Sequence, residues 1–205
     1  MKRIVFFSIS ILLTVSLFAQ RDSYGKYNVG IGVGIVIPYL YSKADIPINS
    51  KISNEPGFLL QSVLDYNINS SIMLSSKFGV SLSGTKVSIS HSTNVEEYSL
   101  MKFTIDLSFG AMYLLTKKSV QPYLLVGSKY RNPLPLKDKF NNTNKGTFAL
   151  DFGVGSNKLI SFTKKFVIKP EITYSFGLSN VNNNPQINNL YINTICLTIN
   201  FRSNQ

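Results

Sequence analysis

The chain has 205 residues, carries Lys+Arg 21 against Asp+Glu 10 for a formal net charge of +11, and contains one cysteine and one histidine. With Cys196 as the sole cysteine no internal disulfide is possible, and no Cys/His/acid spacing describes a metal site. The length suits one domain, and no stretch after residue 19 is apolar for the roughly 18 residues that a membrane helix needs.

The first segment, "MKRIVFFSISILLTVSLFAQ", places Lys2 and Arg3 before an apolar run from Ile4 to Phe18. This is the layout of a secretory signal, expected to be cleaved after Ala19, so that residues 20–205 form the mature domain. Removing Lys2 and Arg3 leaves a charge of +9. In an exported chain that excess points to anionic lipid headgroups or phosphorylated saccharide rather than to nucleic acid.

From Tyr27 the pattern has period two. Tyr27, Val29, Ile31, Val33, Ile35, Ile37 and Tyr39 alternate with Asn28, Gly30, Gly32, Gly34, Val36 and Pro38. A helix would scatter both sets around its circumference, so the spacing predicts a strand. The glycines do not form a dinucleotide loop, which needs G-x-G-x-x-G leaving a strand and opening a helix. Here the spacing is G-x-G-x-G and Pro38 is followed by more strand.

Weaker alternation covers 58–67, 72–84 and 122–130. Strong alternation returns around Phe103–Phe109, Phe148–Val154, 166–178 and 191–201. That gives eight strands and no convincing helix. Long connections are expected at 41–57, 85–97, 131–146 and 179–189, and short ones near 68–71, 114–120 and 161–165. The spacing fits an all-β, eight-stranded antiparallel up-and-down barrel.

Three features turn that barrel inside out, into a transmembrane one. Charges occupy mid-strand positions on the small-residue face, as in Lys169 with Glu171 and Lys102 with Asp106. Aromatic residues bracket the apolar face in the pairs Tyr27 and Tyr39, Phe166 and Phe176, and Tyr191 and Phe201. At about 3.3 Å per residue and a tilt near 40° those pairs span roughly 25–30 Å, the height of the apolar band between the aromatic girdles of an outer-membrane barrel. The chain also nearly ends on an alternating strand closing in Phe201, with only "RSNQ" beyond it. Lipid cannot satisfy open backbone groups, so the strand from Tyr27 must pair with the one ending at Phe201. The expected location is the outer membrane of a Gram-negative bacterium, with the long connections outside.

Parity puts Asp65, Lys77, Lys102, Asp106, Asp151, Lys169 and Glu171 on lumen faces, with Lys129 a further candidate. An eight-stranded lumen is just wide enough for side chains to fill it, and isolated buried charges cost several kcal/mol, so these groups must pair. The expected result is a structural plug; the competing reading is a proton or ion path. His91 with Ser92 and Glu96 or Glu97 is the one candidate for nucleophilic lipid chemistry. It lacks support, because adjacent Ser92 points away from His91 in an extended chain and nothing forms an oxyanion hole. Arg131, Lys137, Lys139 and Lys145 in "RNPLPLKDKFNNTNKG" form a loop that could meet lipopolysaccharide phosphates or be merely solvated.

The segments "EEYSLMKFTIDLSFGAMYLL", "QPYLLVG", "ALDFGVG", "FVIKPEITYSFGLSNV" and "INTICLTINF" resemble the PorT-like outer-membrane barrels of Bacteroidetes, most recognisably across Pro170–Asn180. The family takes its name from a component of the type IX secretion system. The resemblance implies an outer-membrane barrel with no catalytic motif and no cofactor. It allows an accessory role in an envelope assembly or secretion machine, with envelope proteins as partners. A surface-loop binding protein or small pore is the alternative, and a lipid-modifying barrel using His91 the remote third.

Overall fold

A computed structural model describes residues 27–42, 50–90, 95–116, 121–134, 145–157, 160–163, 166–181 and 189–203. The proposed signal, His91, Ser92, Lys137 and Lys139 lie outside these residues, as do the side chains of Glu96 and Phe166. Every regular element among the described residues is a strand: β1 (Tyr27–Ser42), β2 (Ser50–Asn67), β3 (Ile72–Ser90), β4 (Val95–Leu100), β5 (Phe103–Leu114), β6 (Pro122–Pro133), β7 (Thr147–Ser156), β8 (Ile160–Thr163), β9 (Phe166–Gly177) and β10 (Leu190–Ser203).

Eight of them close into an antiparallel barrel in the order β10-β1-β2-β3-β5-β6-β7-β9, with β9 paired back to β10. The closing seam is the expected one, running from Gly30 opposite Arg202 to Ser42 opposite Leu190. Walking across the ladders from Tyr27 passes Tyr66, Leu74, Ala111, Val126, Phe152, Tyr174 and Ile195, and returns to β1 at Ile37. The circuit climbs ten residues, which for eight strands at ordinary spacing corresponds to a tilt of about 40° and a lumen that side chains can fill.

The two short strands continue their neighbours. β4 and β5 share one register on β3, Thr85–Ser90 facing β4 and Ile72–Leu82 facing β5. Between them Met101 adopts φ 57°, a left-handed conformation that reverses the sense of two successive side chains. Met101 is therefore buried and Lys102 exposed. Likewise β8 continues β7 along β9 after an irregularity near Asn157. It lies opposite Lys169 and Pro170, where the proline has no N–H to give to a ladder.

At the end away from the N-terminus of β1, the loop end, the wall extends further than the sequence pattern predicts. Residues 50–57 and 85–90, expected in connections, are strand, and with β4 they form a three-stranded flap. On β2 a bulge between Glu55 and Phe58 hides this continuity, because it shifts that strand's alternation by one. Gly57 is required at the bulge: a Cβ there would stand 1.5 Å from the Leu82 carbonyl oxygen.

Burial follows strand parity. Outward positions are large and apolar, including Ile31, Val33, Ile35, Phe109, Val126, Phe152 and Ile172, and Phe58 is 73% exposed. A belt of this kind around a whole barrel is far larger than water tolerates, and it matches the lipid-facing band of a transmembrane barrel. Apolar clusters occupy both ends of the lumen. Met73, Met112, Tyr123 and Leu125 lie at the end bearing the termini. Val87, Ile89, Leu100, Met101, Val181, Leu190 and Ile192 cover the loop end.

Candidate functional site

Between those two apolar caps lies a stack of charged side chains, the densest concentration of chemistry among the described residues. It begins near the termini with Asp65 from β2. Lys169 Nζ and Arg202 Nη1 both reach its Oδ2, at 3.0 and 2.9 Å. Lys169 is fully buried; its ammonium also meets Met112 Sδ at 3.1 Å and lies 4.7 Å from the Tyr123 ring centroid. Next comes Glu171, paired with Lys77 and receiving hydrogen bonds from Tyr123 Oη at 2.6 Å and Thr173 Oγ1 at 3.0 Å. Above it Lys129 stands 3.6 Å from Asp151 and donates to Ser175 Oγ at 2.9 Å. Arg131 holds Asp106 through Nε at 3.1 Å and Nη2 at 3.5 Å, and Nη2 also reaches Thr194 Oγ1 at 3.4 Å.

The strand pattern explains why these partners meet. Lys77 on β3 and Glu171 on β9 are on opposite walls, as separated as the circuit allows. Lys169 and Asp65 are three strands apart. Such ties cross the lumen, so closing the barrel and neutralising its charges are one event. Small residues make the crossing possible. At Gly32 a Cβ would lie 2.1 Å from Asn200 Oδ1, and in its absence Gln61 Nε2 donates to that oxygen at 2.9 Å across β1. The void between Gln61, Lys77, Asp106, Lys129, Asp151 and Glu171 holds about 20 Å³, room for one or two waters.

Of the lumen residues named from sequence, Asp65, Lys77, Asp106, Asp151, Lys169 and Glu171 face inward and are buried. Lys102 does not. The reversal at Met101 sends it to the surface, where it makes no ion pair with any described residue. Two buried cations were missed. Arg131, assigned above to an anion-contacting loop, belongs to β6 and points into the lumen, so it leaves that set; of the other three, Lys145 is described and is exposed. Arg202, in the trailing tetrapeptide, is the last inward residue of β10. Parity could have found both: Arg131 continues Leu125, Gly127 and Lys129, and Arg202 continues Thr198 and Asn200.

The aromatic residues lie at two levels. Tyr27 contacts Tyr66 near the termini with ring centroids 4.9 Å apart, and Tyr41 meets Tyr191 at 6.2 Å towards the loops. Tyr39, Phe176 and Phe201 also face outward. Glu97, the acid of the His91 group with a described side chain, is solvent-exposed. Among the described residues no His, Cys, Asp and Glu side chains gather as a metal site.

No family model matches the chain, and no curated protein sequence matches it either. Solved structures do. The chain is similar to the outer membrane protein OprG from Pseudomonas aeruginosa, with TM-score 0.55 and 13% identity over 87% of this chain and 95% of that one. It is also similar to Neisserial surface protein A, with TM-score 0.49 and 14% identity over 87% and 97%. At 13% identity the likeness to OprG concerns fold alone, and the fold is that of a small outer-membrane β-barrel.

Proposed function

We propose that this chain is a non-enzymatic component of a Gram-negative outer membrane that works through its two rims. Its role is that of an accessory subunit in an envelope-assembly or protein-secretion machine, of the type IX kind implied by its PorT-like segments. The observation that carries this reading is the lumen. Among the described residues, charges tied across it, an apolar cluster at each end and a central void of about 20 Å³ support a filled lumen over a pore. A barrel that fills its lumen with paired charges has its surfaces left for work. Those surfaces are the flap of β2, β3 and β4, the long connections and the lipid-facing wall. In this reading the wall and loops meet outer-membrane lipid and lipopolysaccharide, with the exposed Lys145 available to its phosphates.

The flap also favours a second reading, a surface-binding protein without permanent partners, because strands raised above the apolar belt form a platform rather than a fold requirement. The two separate on one measurement. Extraction from native membranes in mild detergent, followed by mass spectrometry of attached proteins, should return a reproducible set of envelope or secretion partners. A clean monomer would sink the machine role in favour of the surface-binding one. The non-enzymatic assignment has its own check: His91→Ala should leave the acylation pattern of outer-membrane lipids unchanged.

A further inference from the structure

The outer wall carries a feature that neither a plug nor a protein-binding rim requires. An apolar groove of about 830 Å³ runs over β9, β10, β1, β2 and β3, bordered by Val33, Ile35, Leu60, Val80, Leu82 and Ile172. Its volume falls in the range of about 300–1,000 Å³ typical of small-molecule sites. All six border residues belong to the lipid-facing set, so the medium at the groove is hydrocarbon and only a chain-like apolar group would fill it.

What lies at the groove's outer mouth selects the lipid. Leu82 marks that end on β3, and Gly84, two residues further on, packs against the Lys102 backbone: a Cβ there would lie 3.0 Å from Lys102 Cα. Lys102 is exposed and has no ion-pair partner among the described residues. Its neighbour Lys86 is, by contrast, already neutralised by Glu55 at 2.8 Å. The tyrosines Tyr39 and Tyr41 mark the same end of the apolar belt on β1, the level at which aromatic rings meet headgroups. A cation at headgroup height above an apolar groove complements a phosphate-bearing acyl lipid, whereas a zwitterionic lipid carries its own neutralising cation.

We propose that this wall seats one phosphorylated, acylated saccharide lipid of the outer leaflet, of the lipid A type. One acyl chain lies in the groove and a phosphate sits on Lys102. The seat stands on the membrane orientation alone and is independent of whether protein partners are found.

The test uses the protein extracted from native membranes and placed in phosphatidylethanolamine nanodiscs containing a minor fraction of either lipid A or phosphatidylglycerol. Native mass spectrometry then counts retained lipid. Wild type should hold one lipid A. Val80→Trp, which fills the groove from the lipid side, should lose it. Lys102→Gln should cut the retained fraction about tenfold, as expected for one lost charge-assisted contact. Val154→Trp on the far wall should retain lipid as wild type does, and a heat-dependent shift in gel mobility establishes that each variant is folded. Equal retention in all four proteins, no retained lipid A in wild type, or equal retention of phosphatidylglycerol would each overturn the proposal.

Discussion

Replacing Asp65 by asparagine removes one charge and strands two. In the native lumen Lys169 and Arg202 both converge on Asp65 Oδ2. Lys169 is fully buried; its remaining close contacts are a thioether and the face of a tyrosine ring, and the nearby Glu171 carboxylate is already tied to Lys77. Breaking a buried pair by deleting one partner typically costs about 3–5 kcal/mol, because an uncompensated charge is left behind. With a urea slope of about 2 kcal/mol/M, a cost of about 4 kcal/mol lowers the unfolding midpoint by about 2 M. Lys169→Met should cost less, since Asp65 keeps Arg202 at 2.9 Å and methionine fills most of the vacated volume. The assay is urea unfolding of the barrel in detergent micelles, followed by far-UV circular dichroism and gel mobility. The order Asp65→Asn below Lys169→Met below wild type is the signature of a dry, cross-tied lumen. A midpoint for Asp65→Asn within about 0.3 M of wild type, on the same slope, would refute the reasoning by showing that water already solvates these charges.

Further expectations test the wall, the glycines and the plug. Val126 is 58% exposed, so Val126→Arg would be nearly silent on a soluble barrel; in a bilayer it should cost about 2–4 kcal/mol, measured by unfolding from lipid vesicles. Gly57→Ala should cost more than Gly32→Ala. The new methyl at 57 meets a backbone carbonyl that cannot move aside, whereas at 32 it meets the ends of the Asn200 and Gln61 side chains and costs about one hydrogen bond, roughly 1 kcal/mol; equal stabilities would remove the bulge argument. Cys196 is buried in the lumen beside Val36 and Leu59, so a maleimide should label it only after unfolding; rapid labelling of the folded protein would mean an open channel. In planar bilayers the wild-type protein should give no discrete conductance steps, and their appearance would return the small-pore reading.

The closure of eight strands, their direction and the lumen face of each central segment were legible in the sequence, because the side-chain period of a strand is two and survives without tertiary context. The pairing of Tyr27–Leu40 with the last strand followed from the demand that no sheet edge face lipid. What parity could not carry was any place where the backbone departs from the repeat. Lys102 was assigned inward because its number is even, and only the left-handed φ at Met101 sends it outside. The outer part of β2 read as loop because a bulge at Gly57 shifts its phase, whereas in β3 the inward parity runs unbroken through Val87 and Ile89 and only the Ser, Thr and Lys residues of that stretch gave it the look of a connection.

Partners across the lumen belong to the tertiary structure alone. Asp65 and Arg202 are 137 residues apart in the chain, and no local spacing records that the circuit of the barrel sets them 2.9 Å apart. The sequence determined that these charges had to be paired, since the lumen is narrow and dry. The shear of the closed sheet decided who pairs with whom, because it sets the height at which each inward residue meets the opposite wall.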